Sequence, residues 1–515
     1  MSKKSKSNES GLDDHKQHKK ELKPPFLSHD FNMKTSSWFD ERLPEMLWTV
    51  LVIGNIERDK ALKFFRYVGK FVEKNKECST VTITGISNFS DTKRKEFIKY
   101  ITEFSKEITN ILSNLLLFPK LPNFNEWKIH LVKPESEDGW HKVAKSVDKT
   151  FWHQSEEATD CRWISILCEI LGEKIKFSKD IKGIEKTMRG IFEYPDYGDM
   201  RHVRPSIRSM EMSLTIQKNG KSVWAKYFWK YCFKNTDCVP EEVINKKIQK
   251  RQKKLFEEMH ETRKHNFDET VELRNKLINH FFKTSEVSAI DSRHEGAFGI
   301  TLYALSLYIE IIFYKTALSI TGRLGLRALV ETYITFTYLL NKEKSESKIW
   351  DDYRSYGTGQ IKLIYLKLQE MKEVPNCTNL DEMNFLANED KWVEFVPINL
   401  GHWDSANLRK MSESVGLKDI YDKFYNYTSG FMHGNWGAVR ESVYQTCVNP
   451  LHRRHRIPTH DLPLMPSTTD DAREIMNSIF DCLEKAYPKF KKRFTSPKKG
   501  KIPFPVRKNI LSLEK

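Results

Sequence analysis

"AFGITLYALSLYIEIIFYKTALSI", residues 297–320, is the longest apolar run in the chain. The fold turns on whether this run lies in a membrane or in a protein core. A membrane-spanning helix needs ~20 predominantly apolar residues with few charges. Glu310 and Lys315 interrupt this one. It therefore reads as a helix buried in a helical core, and the chain is expected to carry no transmembrane segment. The stretch that follows, "TGRLGLRALVETYITFTYLL" (321–340), is apolar apart from one line of charge. Arg323, Arg327 and Glu331 recur at every fourth residue, which stacks them on one helix face. Arg327 can pair with Glu331 along that face, and Arg323 then needs another partner.

Further on, "DIYDKFYNYTSGFMHGNWGAVRES" (419–442) repeats the same spacing with different chemistry. Tyr421, Tyr425, Ser429 and His433 make a line of three hydroxyls and an imidazole, and Gly434 and Asn435 end or bend the helix beside His433. Packed together, the two lines would form a network in which each charge has a partner. Such a network serves either as a ligand pocket or as a lock on helix register.

On the N-terminal side lies "VELRNKLINHFF" (271–282). One residue advances about 100° around a helix, which puts Phe267, Val271, Ile278 and Phe281 in one stripe with Arg274 inside it. Read this way, Arg274 is buried against another helix or a second copy of the chain, and His280 sits on the flank of the same cleft. A buried, unpaired guanidinium costs several kcal/mol, so Arg274 must meet a carboxylate, carbonyls or a phosphate. Its planar fork matches phosphate geometry. Just before it, "NKKIQKRQKKLF" (245–256) is a dense basic helix. Lys246, Lys247, Lys250, Arg251, Lys253 and Lys254 are its candidate nucleic-acid contacts. The aromatic stretch "SVWAKYFWKYCFK" (222–234) would suit base stacking, although aromatics at such density more often form a core.

Composition agrees with such a partner. The chain has 515 residues and a formal net charge of +16, a balance that favours RNA or another polyanion, an anionic membrane surface included. Its eight cysteines are scattered, none in a C-x-x-C pair, and their spacing matches no zinc ribbon or finger. They read as reduced thiols of a cytoplasmic protein, with no metal and no cofactor expected. "FWHQSEEATDCRW" places His153, Glu157, Asp160 and Cys161 close together, but acidic residues at a helix start explain that pattern. There is no P-loop, no G-x-G-x-x-G and no G-x-S-x-G, so ATPase, dinucleotide-enzyme and serine-hydrolase readings have no support.

The expected fold is mostly α: two helical regions joined by a long basic helix, with at most a few short strands in the N-terminal half. Residues 1–30 read as a disordered basic tail, 31–240 as an N-terminal helical domain and 241–285 as the basic linking helix. Residues 286–490 read as a C-terminal helical domain and 491–515 as a basic flexible tail. "STVTITGIS" (79–87) is the best strand candidate, being rich in β-branched residues.

Two resemblances add to this reading. "RNKLINH" resembles the arginine, polar residue, short spacer and histidine signature of the HEPN superfamily (higher eukaryotes and prokaryotes nucleotide-binding). Arg274, Asn275 and His280 match it. The resemblance implies a helical fold, a homodimer and metal-independent RNA cleavage or RNA binding, in a toxin or phage-defence setting. In that chemistry His280 would move protons and Arg274 would stabilise charge on the phosphorane. The Arg327/Glu331 helix and the later Tyr425, Ser429 and His433 helix are similar to an uncharacterised family of bacterial helical proteins. That resemblance implies an α-helical fold and no established reaction, and leaves a non-enzymatic scaffold or ligand sensor as the alternative function.

Overall fold

The structure is a computed structural model. It describes residues 16–18, 21–23, 36–175, 184–195, 200–217, 223–241, 269–287, 291–314, 316–388, 398, 403–459 and 465–495. The described chain is mostly α-helical and divides into two compact units. Unit 1 comprises residues 1–239 and 447–455, and unit 2 comprises 240–446 and 456–515. Of the segment 241–285 read as the linking helix, residues 242–268 lie outside the described residues. The return of Cys447–His455 to unit 1 was not anticipated, because the C-terminal region was read as continuous.

Unit 1 is built around helix Leu47–Asn55, in which every residue from Leu47 to Gly54 is buried. A helix that is apolar all round belongs in the centre of a fold. It packs on helix Ser136–Thr150. Gly54 permits the close approach, since a Cβ there would stand 2.5 Å from the Ser146 Cα. Helix Arg58–Lys74 is amphipathic and buries Leu62, Phe64, Phe65, Val68 and Val72. Ser155 caps helix Glu156–Leu171, its Oγ accepting the Ala158 N–H at 3.1 Å. One local expectation fails. Residues 79–87 hold helix Ile83–Ser87 rather than a strand, because the Thr82 hydroxyl accepts the Gly85 N–H and nucleates a helical turn. Helix Met200–Gln217 carries Pro205 in its interior.

Buried charge in unit 1 is paired. Arg58 makes two hydrogen bonds to Asp160, at 2.8 and 3.0 Å, and Tyr194 Oη donates to the same carboxylate at 2.5 Å. This arrangement uses Asp160 structurally. Arg42 and Arg162 both approach Glu211, and Arg162 lies 4.1 Å over the Trp38 ring.

The core of unit 2 is a bundle of helices Ser292–Phe313, Ile320–Lys342 and Thr469–Ala486. Helix Ser292–Phe313, which holds most of the apolar run, packs in this bundle. Helix Ser292–Phe313 is long and apolar enough to cross a membrane by length and composition, yet it buries Phe298, Thr301, Ala304, Leu305, Tyr308 and Ile311 inside this bundle. Asp291 caps it through the Arg293 and His294 N–H groups. Beyond the 469–486 helix the described chain reaches residues 491–495, the start of the segment expected to form a flexible tail. Phe490 and Phe494 are each only 4% exposed in the core, and Asn477 bonds both backbone polar groups of Phe494. One strand pair lies in the N-terminal half, as expected, and one does not. Tyr444–Thr446 pairs with Arg456–Pro458 in unit 2, and Lys16–His18 pairs with Glu21–Lys23 within the segment read as disordered.

Candidate functional site

The best-formed polar site in unit 2 grows from helix Ile320–Lys342. Arg327 and Glu331 sit one turn apart, and the Arg327 Nε donates to Glu331 Oε1 at 2.7 Å. The remaining guanidinium donors cross to the opposite helix. Nη1 reaches Ser429 Oγ at 2.8 Å and Nη2 reaches Tyr425 Oη at 2.8 Å. The guanidinium carbon also stands 4.4 Å from the Tyr425 ring centre, and Tyr421 stacks on Tyr425 at 4.5 Å. Burial pushes the Tyr421 phenol upward, and the neighbouring Tyr425 adds to it. Tyr421–Tyr425 forms a π-helical turn that runs into helix Asn426–Met432. A single wide turn of this kind is frequent at functional sites.

Two expected members lie outside the network. Arg323 is buried and held by backbone, with Nη1 donating to Ala317 O at 3.3 Å and Ser319 O at 3.1 Å, and Nη2 to Pro466 O at 2.7 Å. It fixes the entry to its own helix. His433 is exposed. The helix stops at Met432, and Gly434 with φ +58° turns the chain away, so His433 leaves the line of hydroxyls.

The 269–284 helix is rotated from its sequence reading: Phe281 of the expected stripe packs on the core, but the rest of the buried face lies elsewhere. Arg274 and Asn275 are exposed, while Leu273 and Leu277 supply the buried stripe. Val271 and Phe282, at 43% and 71% exposure, face outward. Arg274 is one step from Leu273, which is enough to move it to the solvent face. His280 is half-buried instead. Its Nε2 lies 3.0 Å from Tyr487 O, and its ring sits 5.7 Å from both Phe298 and Phe490. Arg274, Asn275 and His280 therefore do not converge. Lys246, Lys247, Lys250, Arg251, Lys253 and Lys254 lie outside the described residues.

Among the described residues, one group has the character of a metal-ligand set. The ligand atoms of Cys238, Cys447, His452 and His455, all in unit 1, lie within 4.8 Å of one another. Sequence reading missed it because Cys238 and His455 are 217 positions apart. The local signal was Cys447, His452 and His455 in one short segment.

The comparisons with known proteins bear on unit 2. No curated protein and no solved structure matches the chain. Residues 294–446, which contain Arg323, Arg327, Glu331, Tyr425, Ser429 and His433 but neither the Arg274 helix nor the cysteine–histidine group, match a family of unknown function, DUF5677.

Proposed function

We propose that this protein binds RNA, or another phosphate-rich polyanion, without cutting it. The observation that carries this reading is the division of polar residues on the 269–284 helix: Arg274 and Asn275 are exposed, and His280 turns inward to the Tyr487 carbonyl. Metal-independent cleavage needs an imidazole and a cation at the same phosphate. Here the cation faces solvent and the imidazole is engaged in the core, which supports binding over cleavage. A net charge of +16 and the basic run just before this helix add non-specific affinity. The HEPN-like resemblance, its toxin or phage-defence setting and its homodimer remain part of the proposal, as a fold adapted to hold RNA. That none of the eight cysteines is held in a disulfide supports a reducing, cytoplasmic setting.

A second reading, a non-enzymatic scaffold or ligand sensor, is favoured by the Arg327 network. Its Glu331 side chain is 38% exposed, so a ligand could meet the carboxylate from solvent. The two readings are separated by incubating the full chain with mixed RNA, without added divalent cation, and analysing bound fraction and product ends. The proposal expects retained, intact RNA. Fragments ending in 2′,3′-cyclic phosphate, lost in His280→Ala, would overturn it in favour of a nuclease. No retention at low salt would favour the sensor.

A further inference from the structure

We propose that Cys238, Cys447, His452 and His455 bind one zinc ion as a closed, structural site in unit 1. The geometry carries the assignment. Cys238 Sγ lies 3.4 Å from His452 Nδ1 and 3.3 Å from His455 Nε2, and Cys447 Sγ lies 3.6 Å from His452 Nδ1. A tetrahedral zinc with Zn–S of about 2.3 Å and Zn–N of about 2.0 Å has sulfur–nitrogen edges of about 3.5 Å. The three separations match that edge. Thiol–imidazole hydrogen bonds alone do not account for them, because the single lone pair of His452 Nδ1 faces two sulfurs at once.

The surroundings prepare the same atoms. His452 Nε2 lies 3.0 Å from the Thr236 carbonyl oxygen, to which its N–H donates. That bond puts the ring proton on Nε2 and leaves Nδ1 unprotonated toward the sulfurs, as a metal ligand requires. The Val239 N–H points at Cys447 Sγ at 3.4 Å and stabilises it as a thiolate. Between the two histidines, Arg453 and Arg454 have φ of +53° and +48°. Residues with a Cβ seldom take up this conformation, and two in succession fold the segment so that both rings reach the same point. Asn449 donates to the Asp237 carbonyl at 2.8 Å and ties that segment to the one that carries Cys238.

The donor set names the metal and the role. Two thiolates and two imidazoles in a tetrahedron suit zinc, and four protein ligands leave no open position for substrate. On binding, the two thiols release their protons to water, and the two thiolate charges balance the dication. The ion would fix the Cys447–His455 segment, where the chain re-enters unit 1, against Cys238, where it leaves.

The test is metal analysis of the full chain, purified under reducing conditions without chelator. The expected result is one zinc per chain in the wild type and loss of bound zinc in Cys238→Ser, with Cys377→Ser, an exposed cysteine elsewhere, unchanged. Far-UV circular dichroism reports whether Cys238→Ser folds, and His455→Gln gives the same reading at a second ligand. Independently of any variant, cobalt exchanged into the wild type should show thiolate charge-transfer bands and d–d bands of tetrahedral intensity. A wild type that binds no zinc when zinc salt is supplied, or a cobalt spectrum without thiolate bands, would overturn the assignment. So would Cys238→Ser and His455→Gln that both fold and retain zinc.

Discussion

Replacing Glu331 by alanine tests how the Arg327 network contributes to unit 2. Removing one partner of a fully buried pair costs about 3–5 kcal/mol, and an exposed pair is worth about 0–1 kcal/mol. This pair lies between those limits, with side-chain exposures of 11% for Arg327 and 38% for Glu331. In Glu331→Ala the guanidinium keeps Ser429 and Tyr425, each at 2.8 Å, and its Nε turns toward a surface that water can reach. The expected cost is about 1–2 kcal/mol. Arg327→Ala removes the ion pair, both cross-helix hydrogen bonds and the cation–π contact, and should cost about 3–4 kcal/mol. Urea unfolding followed by tryptophan fluorescence and circular dichroism would measure both, with an unchanged m-value as the check that the unfolding reaction is the same. In a thermal scan, 1 kcal/mol is about 2–4 °C for a unit of this size. A loss above about 4 kcal/mol in Glu331→Ala would mean that the carboxylate is effectively buried. An unchanged midpoint in both variants would refute the network as a source of stability.

Other outcomes follow from the same structure. His280→Ala should destabilise unit 2 by about 1–3 kcal/mol, since it leaves a gap between Phe298 and Phe490, while leaving RNA affinity unchanged. A competition binding assay on the folded variant checks this. Arg323→Met should cost about 2–4 kcal/mol by removing the hydrogen bonds that Arg323 gives to the Ala317, Ser319 and Pro466 carbonyls, read by denaturant midpoint. His294 is buried, and burial pulls its pKa below the ordinary value of about 6.5. The unfolded chain then binds the extra proton first, so this contribution is fully present above about pH 6.5 and is lost as pH falls below it. His294→Leu should flatten the acid side of a stability–pH profile in that window, and an identical profile would remove His294 as a cause.

The parts of this fold that were legible are those written in local spacing. Glu310 and Lys315 within an apolar run marked a core helix, and helix Ser292–Phe313 lies in the core. Fourfold spacing on two helices brought Arg327, Glu331, Tyr425 and Ser429 to one point. What failed was decided by partners distant in sequence. The 269–284 helix has apolar residues on two sides, Leu273 and Leu277 on one and Val271 and Phe282 on the other, and only tertiary packing selects which is buried. Periodicity alone could not orient Arg274. His433 left its line because the chain turns at Gly434. β-Branched residues at 79–87 suggested a strand, and a Thr82 cap overrode that propensity. The cysteine–histidine group was hidden because its first ligand and its last three come from opposite ends of the excursion into unit 2.

The central claim, that an exposed Arg274 face binds a polyanion, is tested most directly by the salt dependence of RNA affinity. Fluorescence anisotropy with a single-stranded RNA, repeated over a range of salt concentrations, gives the slope of log affinity against log salt. Each phosphate contact on a single strand contributes about 0.7 to that slope. Arg274→Ala is expected to keep the wild-type unfolding midpoint and to reduce the slope by about 0.7, the signature of one lost phosphate contact. An unchanged slope and affinity in a folded Arg274→Ala protein would contradict the account.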